Sequence, residues 1–270
     1  MEILWRRVAG RDIDGRIPPG TTIVTWNLNG VRARHAQLAE LVARERPDVV
    51  CLQELKAAPD QVPELVCNLT GYWCHWHGAR AYSGVALHLR NERFPESPRV
   101  THPEFDHETR IAEVDVGDLV LASVYVPNGG KDFPAKMAFL EAMTAWAADL
   151  HRRGRRLVVC GDVNVAREER DVHPKERKPN AIGQRPDERA SFARLLGEGL
   201  VDLGRALQPD DDGLFTWWAP WRNLRQRNIG WRLDYVLASE PLARTARSCA
   251  VLREFGTSDH APVVARFDGA

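Results

Sequence analysis

The chain has 270 residues, 44% of them hydrophobic, and its 37 basic and 37 acidic side chains leave a formal net charge of +0. That length and apolar content are enough for one sizeable core, and no linker-like stretch divides it, so one α/β domain is expected rather than two. Balanced charge excludes a uniformly basic surface, so any nucleic-acid contact must come from locally segregated charge.

The opening stretch MEILWRRVAGRDIDGRIPPG carries acids and a Pro-Pro-Gly break without a continuous apolar run. Residues 1–20 therefore read as an N-terminal extension, neither signal peptide nor membrane anchor, and 21–268 as the domain of a cytoplasmic protein with no membrane partner. Apolar runs rich in β-branched residues and bounded by turn residues predict strands over 21–26, 48–52, 83–89, 111–116, 119–126, 157–160, 233–238 and 262–267. Helical periodicity covers 35–45, 134–151 and 187–198. Strands interspersed with helices, including an antiparallel-looking pair at 111–116 and 119–126, suggest two packed sheets under outer helices.

The five cysteines, Cys51, Cys67, Cys74, Cys160 and Cys249, are odd in number and lack paired spacing, which suggests a reducing compartment. Cys67, Cys74, His75 and His77 fit no common zinc spacing and read as a strand with surface histidines. More telling, the polar residues Asn27, Asn29, Gln53, Glu54, Asp162, Asn164, Asp259 and His260 all lie beside an apolar strand run. A carboxylate or amide there is costly unless it is paired or bound to a cation, and so many call for a common explanation.

Glu54, at the mouth of the 48–52 strand, offers a hard oxygen ligand for Mg²⁺, or is a solvated loop acid. Asp162 and Asn164, two apart, share one face if the strand continues and could hold one water or phosphate; the alternative is an Asx turn. Asp234 sits within an otherwise apolar strand and needs a partner, which His260 can supply as either a catalytic or a structural pair. Tyr125, Asn128 and Lys131 border a Gly-rich turn whose hydroxyl, amide and ammonium suit phosphate oxygens or simply close the turn. From Gly213 to Leu233 there is no acid, while Arg222, Arg225, Arg227 and Arg232 interleave with Trp217, Trp218, Trp221 and Trp231. Such a mixture suits a DNA groove and a base-sized pocket better than a merely solvated loop.

In order, Trp26-Asn27-Leu28-Asn29-Gly30, Leu52-Gln53-Glu54-Leu55-Lys56, Tyr125-Val126-Pro127-Asn128, Gly161-Asp162-Val163-Asn164, Trp231-Arg232-Leu233-Asp234-Tyr235 and Ser258-Asp259-His260-Ala261-Pro262 resemble the exonuclease III family of abasic-site endonucleases. The resemblance implies a four-layered α/β sandwich related to deoxyribonuclease I, with two packed β-sheets flanked by helices. It implies Mg²⁺, or Mn²⁺ in its place, at Glu54 with Asn29 and Asp259 nearby. It implies that Asp162 orients or deprotonates the attacking water with help from Asn164, while Asn27, Tyr125 and His260, held by Asp234, bind and polarise the scissile phosphate. Trp217, Trp231 and Leu233 fall where the family has its abasic pocket, and Asn180 resembles a family turn on the DNA side. The partner implied is double-stranded DNA with abasic sites or 3′ ends, bound by a monomer, with incision 5′ to the lesion and 3′-5′ exonuclease activity. Asn29 stands where some relatives carry Asp, Trp217 where some carry a smaller ring, and Lys131 where some carry Arg. The competing readings are a phosphatase acting on a small phosphoester and a catalytically inactive nucleic-acid-binding relative.

Overall fold

The computed structural model describes residues 19–268, so most of the N-terminal stretch read as an extension lies outside the described residues. The first half runs β1 (Thr21–Asn27), α1 (Val31–Glu45), β2 (Val49–Gln53), α2 (Glu64–Cys67), β3 (Tyr72–Ala79), β4 (Tyr82–Arg90), β5 (Val100–Thr101), β6 (Ile111–Val116) and β7 (Leu119–Tyr125). The second runs α3 (Phe133–Arg152), β8 (Arg156–Asp162), α4 (Pro186–Gly197), β9 (Leu200–Asp202), α5 (Leu203–Leu207), β10 (Asp234–Ser239), α6 (Glu240–Ala243), β11 (Ala246–Val251) and β12 (Val263–Phe267). Two six-stranded sheets result, ordered β11-β12-β1-β2-β4-β3 and β5-β6-β7-β8-β10-β9. No helix of the described residues is long and apolar enough to cross a membrane.

Side-chain alternation along the strands builds the layers. Ile23, Val49 and Cys51 of the first sheet meet Leu121, Val158 and Cys160 of the second in one buried cluster between the sheets. Their neighbours Val24, Val50 and Leu52 face outward under Val31, Leu38 and Leu41 of α1. On the other side Val120, Leu157 and Val159 pack under Phe139, Leu140 and Met143 of α3 and Phe192 of α4. The result is helix, sheet, sheet, helix, as expected. Each such side chain contributes about 1.5–3 kcal/mol when taken from water. The start of α3 is fixed by Asp132, whose carboxylate accepts from the Ala135 amide at 2.9 Å, a cap that satisfies an otherwise orphan donor.

The sheets are also joined by polar bonds. Gln53 donates to the Ser123 hydroxyl at 3.1 Å, and that hydroxyl donates to the Leu52 carbonyl at 3.1 Å. Gln53, one of the strand-end polar residues, is thus a buried tie between layers.

Candidate active site

Register places the site. Tyr125 is paired with Asp162 across the parallel β7–β8 ladder, and Asp162 with Asp234 across the antiparallel β8–β10 ladder. Three of the expected site residues therefore stand in one row across β7, β8 and β10 at one end of those strands. From the first sheet, Asn27 reaches over to donate to Asp162 Oδ2 at 2.9 Å. Glycine is required beside this row: at φ 147 a Cβ on Gly161 would lie 1.9 Å from the Val124 carbonyl oxygen.

Beyond the strand ends the backbone turns left-handed at Asn29 (φ 46), Glu54 (φ 50) and Asn164 (φ 55). For non-glycine residues that conformation costs roughly 1–2 kcal/mol each, and local bonds offset it. The Asn29 amide donates to Asn27 Oδ1 at 3.0 Å, and the Asn164 amide to Asp162 Oδ1 at 2.9 Å.

His260 Nδ1 lies 2.8 Å from Asp234 Oδ2, and its Nε2 faces Asp162 Oδ2 at 3.9 Å. Burial opposes the imidazolium, yet Asp234, backed by Asp162 and Asp259, carries the pKa up to about 10. Burial raises Asp162 to about 7, with Asp234 and Glu54 adding repulsion against the attraction of His260. The pair thus presents a cation beside an acid that exchanges its proton near neutrality, which suits general base work. Burial likewise pushes the Tyr125 phenol well above its usual value, helped by Glu54 and Asp162, so it remains a donor and bonds Glu54 Oε1 at 2.5 Å.

Glu54, Asn29 and Asp259 are linked in series by polar contacts. Asn29 donates to Asp259 Oδ1 at 2.7 Å and the Trp217 indole to Asp259 Oδ2 at 2.9 Å. The Lys56 ammonium lies 2.9 Å from Glu54 Oε2 and 2.5 Å from Asn29 Oδ1. A cationic group thus already bridges two of the three expected metal-site residues, and an all-oxygen donor set fits a hard divalent ion. In the same cleft, ligand atoms of Asp162, Asp234 and His260 lie within 4.8 Å of one another, so acids and a histidine here can hold a metal ion.

The remaining expected residues divide. Asn128 donates to Asn164 Oδ1 at 3.3 Å, joining the Gly-rich turn to the site, while Lys131 and Asn180 are exposed on loops. Trp217 and Trp231 meet edge to face at 5.5 Å, and Leu233 is buried. Trp221 is 60% exposed, and Arg222 and Arg227 face solvent.

Arg225 and Arg232 correct the reading of this segment as a uniform DNA surface. The Arg225 guanidinium bonds the carbonyls of Arg253, Ser258 and Phe255 at 2.7, 2.5 and 2.7 Å. Buried Arg232 grips Asp171 at 2.8 and 3.0 Å and Asp202 at 2.9 and 2.7 Å. Trp218 is buried as well.

Sequence reasoning missed several supporting residues. Thr216 donates to Asp234 Oδ2 at 2.6 Å and accepts from the Leu233 and Asp234 amides at 3.0 Å each. Lys136 donates to the Asn164 carbonyl at 2.7 Å and the Asn128 carbonyl at 3.2 Å, and pairs with buried Glu188. A lysine and a glutamate at core positions of the two predicted helices were the available signal for that pair; nothing marked Thr216. Lys56 lay inside the quoted Leu52–Lys56 motif without a role.

Two sheets that converge on this row define a hydrolase of the Endonuclease/Exonuclease/phosphatase family, whose model matches residues 24–260, and the chain belongs to it. It is 35% identical over 255 residues to Recombination repair protein 1 of Drosophila melanogaster, covering 91% of this chain but spanning only 37% of that longer protein. To the exodeoxyribonuclease of Bacillus subtilis it is 33% identical, covering 89% of this chain and 97% of that one. Among solved structures, a 3′ phosphatase from Neisseria bound to product DNA hairpin superposes with TM-score 0.84 at 31% identity, covering 92% of this chain and 99% of that one. An AP endonuclease from Archaeoglobus fulgidus gives TM-score 0.83 at 28% identity, covering 92% and 99%. Within the family its likeness is thus to exonuclease III and the abasic-site endonucleases.

Proposed function

We propose that this chain is a Mg²⁺-dependent DNA repair phosphodiesterase that incises duplex DNA 5′ to abasic sites and also trims 3′ ends as a 3′-5′ exonuclease. The observation that carries the reading is the row Tyr125, Asp162 and Asp234, closed by Asn27 from the opposite sheet and by His260. In-line hydrolysis needs a positioned water and stabilised non-bridging oxygens. Asp162 holds the water and takes its proton as oxygen attacks phosphorus; the P–O3′ bond then breaks and O3′ takes up a proton from solvent, leaving a 3′-hydroxyl and a 5′-phosphate. The His260 imidazolium, the Tyr125 phenol and the Asn27 amide face the phosphate oxygens. Mg²⁺, or Mn²⁺ in its place, held by Glu54 with Asn29 and Asp259 beside it, supplies further positive charge at the phosphate.

Trp217, Trp231 and Leu233 shape a hollow for a flipped sugar that lacks its base, and an intact nucleotide is rejected by size. Asn128, Lys131, Asn180, Trp221, Arg222 and Arg227 face the duplex around it.

The test is cleavage of an end-labelled duplex carrying one abasic analogue, with Mg²⁺ or with EDTA, beside an intact duplex with a recessed 3′ end. Metal-dependent incision immediately 5′ to the lesion is expected. Faster hydrolysis of a small phosphoester than of the abasic duplex would overturn the substrate assignment.

A further inference from the structure

A second cluster of metal-ligating side chains lies away from this row, at the margin of the sandwich. His75 and His77 are two apart on β3 and pair with Leu87 and Val85 of β4, both members of the cluster between the sheets. They therefore sit on the strand's inner face, where an apolar side chain would ordinarily be. Cys74 and Trp76, on the opposite face, pack into the outer layer, so the sequence grouping of two cysteines and two histidines is split by the strand. The histidines instead meet residues of the other sheet: His102, just after β5, and Asp106 on the loop to β6. Because β3 ends one sheet and β5 the other, the cluster lies where two free edges meet.

Ligand atoms of His77, His102 and Asp106 lie within 4.8 Å of one another, and His75 Nε2 is 3.3 Å from His102 Nε2. Two nitrogens on a tetrahedral ion, each about 2.05 Å from it, stand about 3.3 Å apart. The outer contacts orient His102 and Asp106, while the His77 ring stacks on that of His102 at 3.6 Å between centroids and would have to turn for the two to share an ion. His102 Nδ1 lies 2.8 Å from the Ile111 carbonyl, to which only an N–H can donate, so the neutral ring turns a bare Nε2 toward His75. Asp106 Oδ1 accepts from the Arg110 and Ile111 amides at 2.7 and 3.1 Å, which fixes the carboxylate and leaves Oδ2 facing His77 Nε2 at 2.6 Å. Orientation of a ligating ring and carboxylate through their remaining atoms is how protein metal sites are commonly built.

We propose that His75, His77, His102 and Asp106 form a structural site for a zinc-class divalent transition ion that ties the free edge of one sheet to the free edge of the other. Imidazole with one carboxylate prefers such an ion over Mg²⁺, which seeks oxygens. Binding needs unprotonated imidazole nitrogens, so affinity falls in acid. An ion that binds only the folded chain raises its unfolding temperature by mass action.

The experiment uses the full chain without a polyhistidine tag, stripped with EDTA and dialysed against Zn²⁺ in excess Mg²⁺. A single zinc should be retained per chain by the wild type and by His260→Gln, and lost in His77→Gln and His102→Gln. Zn²⁺ should raise the melting temperature of the wild type but not of His102→Gln, with matching melts in EDTA showing that the variants fold. Co²⁺ soaked into the wild type should give the intense visible bands of a four-coordinate nitrogen and oxygen site. Absence of those bands, or zinc kept by His102→Gln and lost by His260→Gln, overturns the proposal, the second result placing the ion in the catalytic cleft.

Discussion

Replacing Asp234 by Asn tests the electrostatics of the site most directly. The change keeps the side chain's shape and an oxygen beside His260 Nδ1 but removes the carboxylate charge that now lies 2.8 Å from it. Two unit charges about 4 Å apart at an effective dielectric of about 20 interact by about 4 kcal/mol, equivalent to about 3 pH units. His260, now carried up to about 10, should then titrate near pH ~7. In the wild type, single-turnover incision should rise with pH as Asp162 ionises through about 7 and fall as His260 loses its proton near about 10. In Asp234→Asn the falling limb should move to near neutrality, giving about a 100-fold loss at a pH two units above the new value. Stability follows the same sign. A histidine raised above its ordinary 6.5 contributes fully below that value and loses the contribution as the pH rises through about 10, so Asp234→Asn should flatten this dependence. A falling limb that stays in place, or an equal loss of rate at every pH, would refute the assigned roles.

Other outcomes follow from the same bonds. Arg232→Met should leave buried Asp171 and Asp202 with only Arg205 and Arg167 as cationic partners and cost about 3–5 kcal/mol in urea unfolding; a loss below about 1 kcal/mol would contradict the network. Burial would raise Asp171, but Arg232 and Arg205 hold it below its ordinary 3.8, so its stabilisation is present above that pH and disappears as the pH falls lower. Asp162→Asn should slow single-turnover incision by about two or more orders of magnitude while duplex binding stays nearly intact; a parallel loss of binding, read by anisotropy, would remove its role with water. Arg222→Ala and Arg227→Ala should each reduce the salt dependence of duplex binding by about 0.9 in slope. Arg225→Ala should instead lower the melting temperature with the slope unchanged, because its guanidinium bonds carbonyls within the protein.

The eight predicted strands are all present within one or two residues at their ends, because alternating burial on two-sided sheets leaves a readable period in runs such as 119–126. The edge strands β5, β9 and β11 went unread: the first two are two and three residues long, and β11 is mostly half-exposed. In the site, position was legible and partnership only partly so. Asp234 inside an apolar strand announced a partner, and His260 is that partner. The Arg and Trp segment did not reveal which guanidiniums are satisfied internally, since Arg232 finds Asp171 and Asp202 from distant parts of the chain. For the same reason His77 did not point to Asp106, which reaches it from the other sheet.

At Asp162-Val163-Asn164 the sequence left an Asx turn and a catalytic pair as alternatives, and the structure shows the turn, which is compatible with the proposed catalytic pair. Asn27-Leu28-Asn29 repeats the turn on the opposite sheet: the first side chain accepts from the amide two residues on, at 3.0 Å there and 2.9 Å here, and the last residue turns left-handed. Leu28 and Val163 between them are buried, so each turn is anchored in a different sheet while its polar residues face one cleft. Asn164 then donates to the Val126 carbonyl at 2.9 Å and to Asp162 Oδ2 at 3.3 Å. Turn and chemistry can be separated by comparing two variants. Asn164→Gly keeps the φ of 55 without the roughly 1–2 kcal/mol that a Cβ costs there, while Asn164→Ala retains that cost; both lose the amide. If the side chain serves the reaction, the two should lose single-turnover rate alike, although Ala unfolds at lower urea. A glycine variant that keeps the wild-type rate would show that Asn164 only shapes the turn.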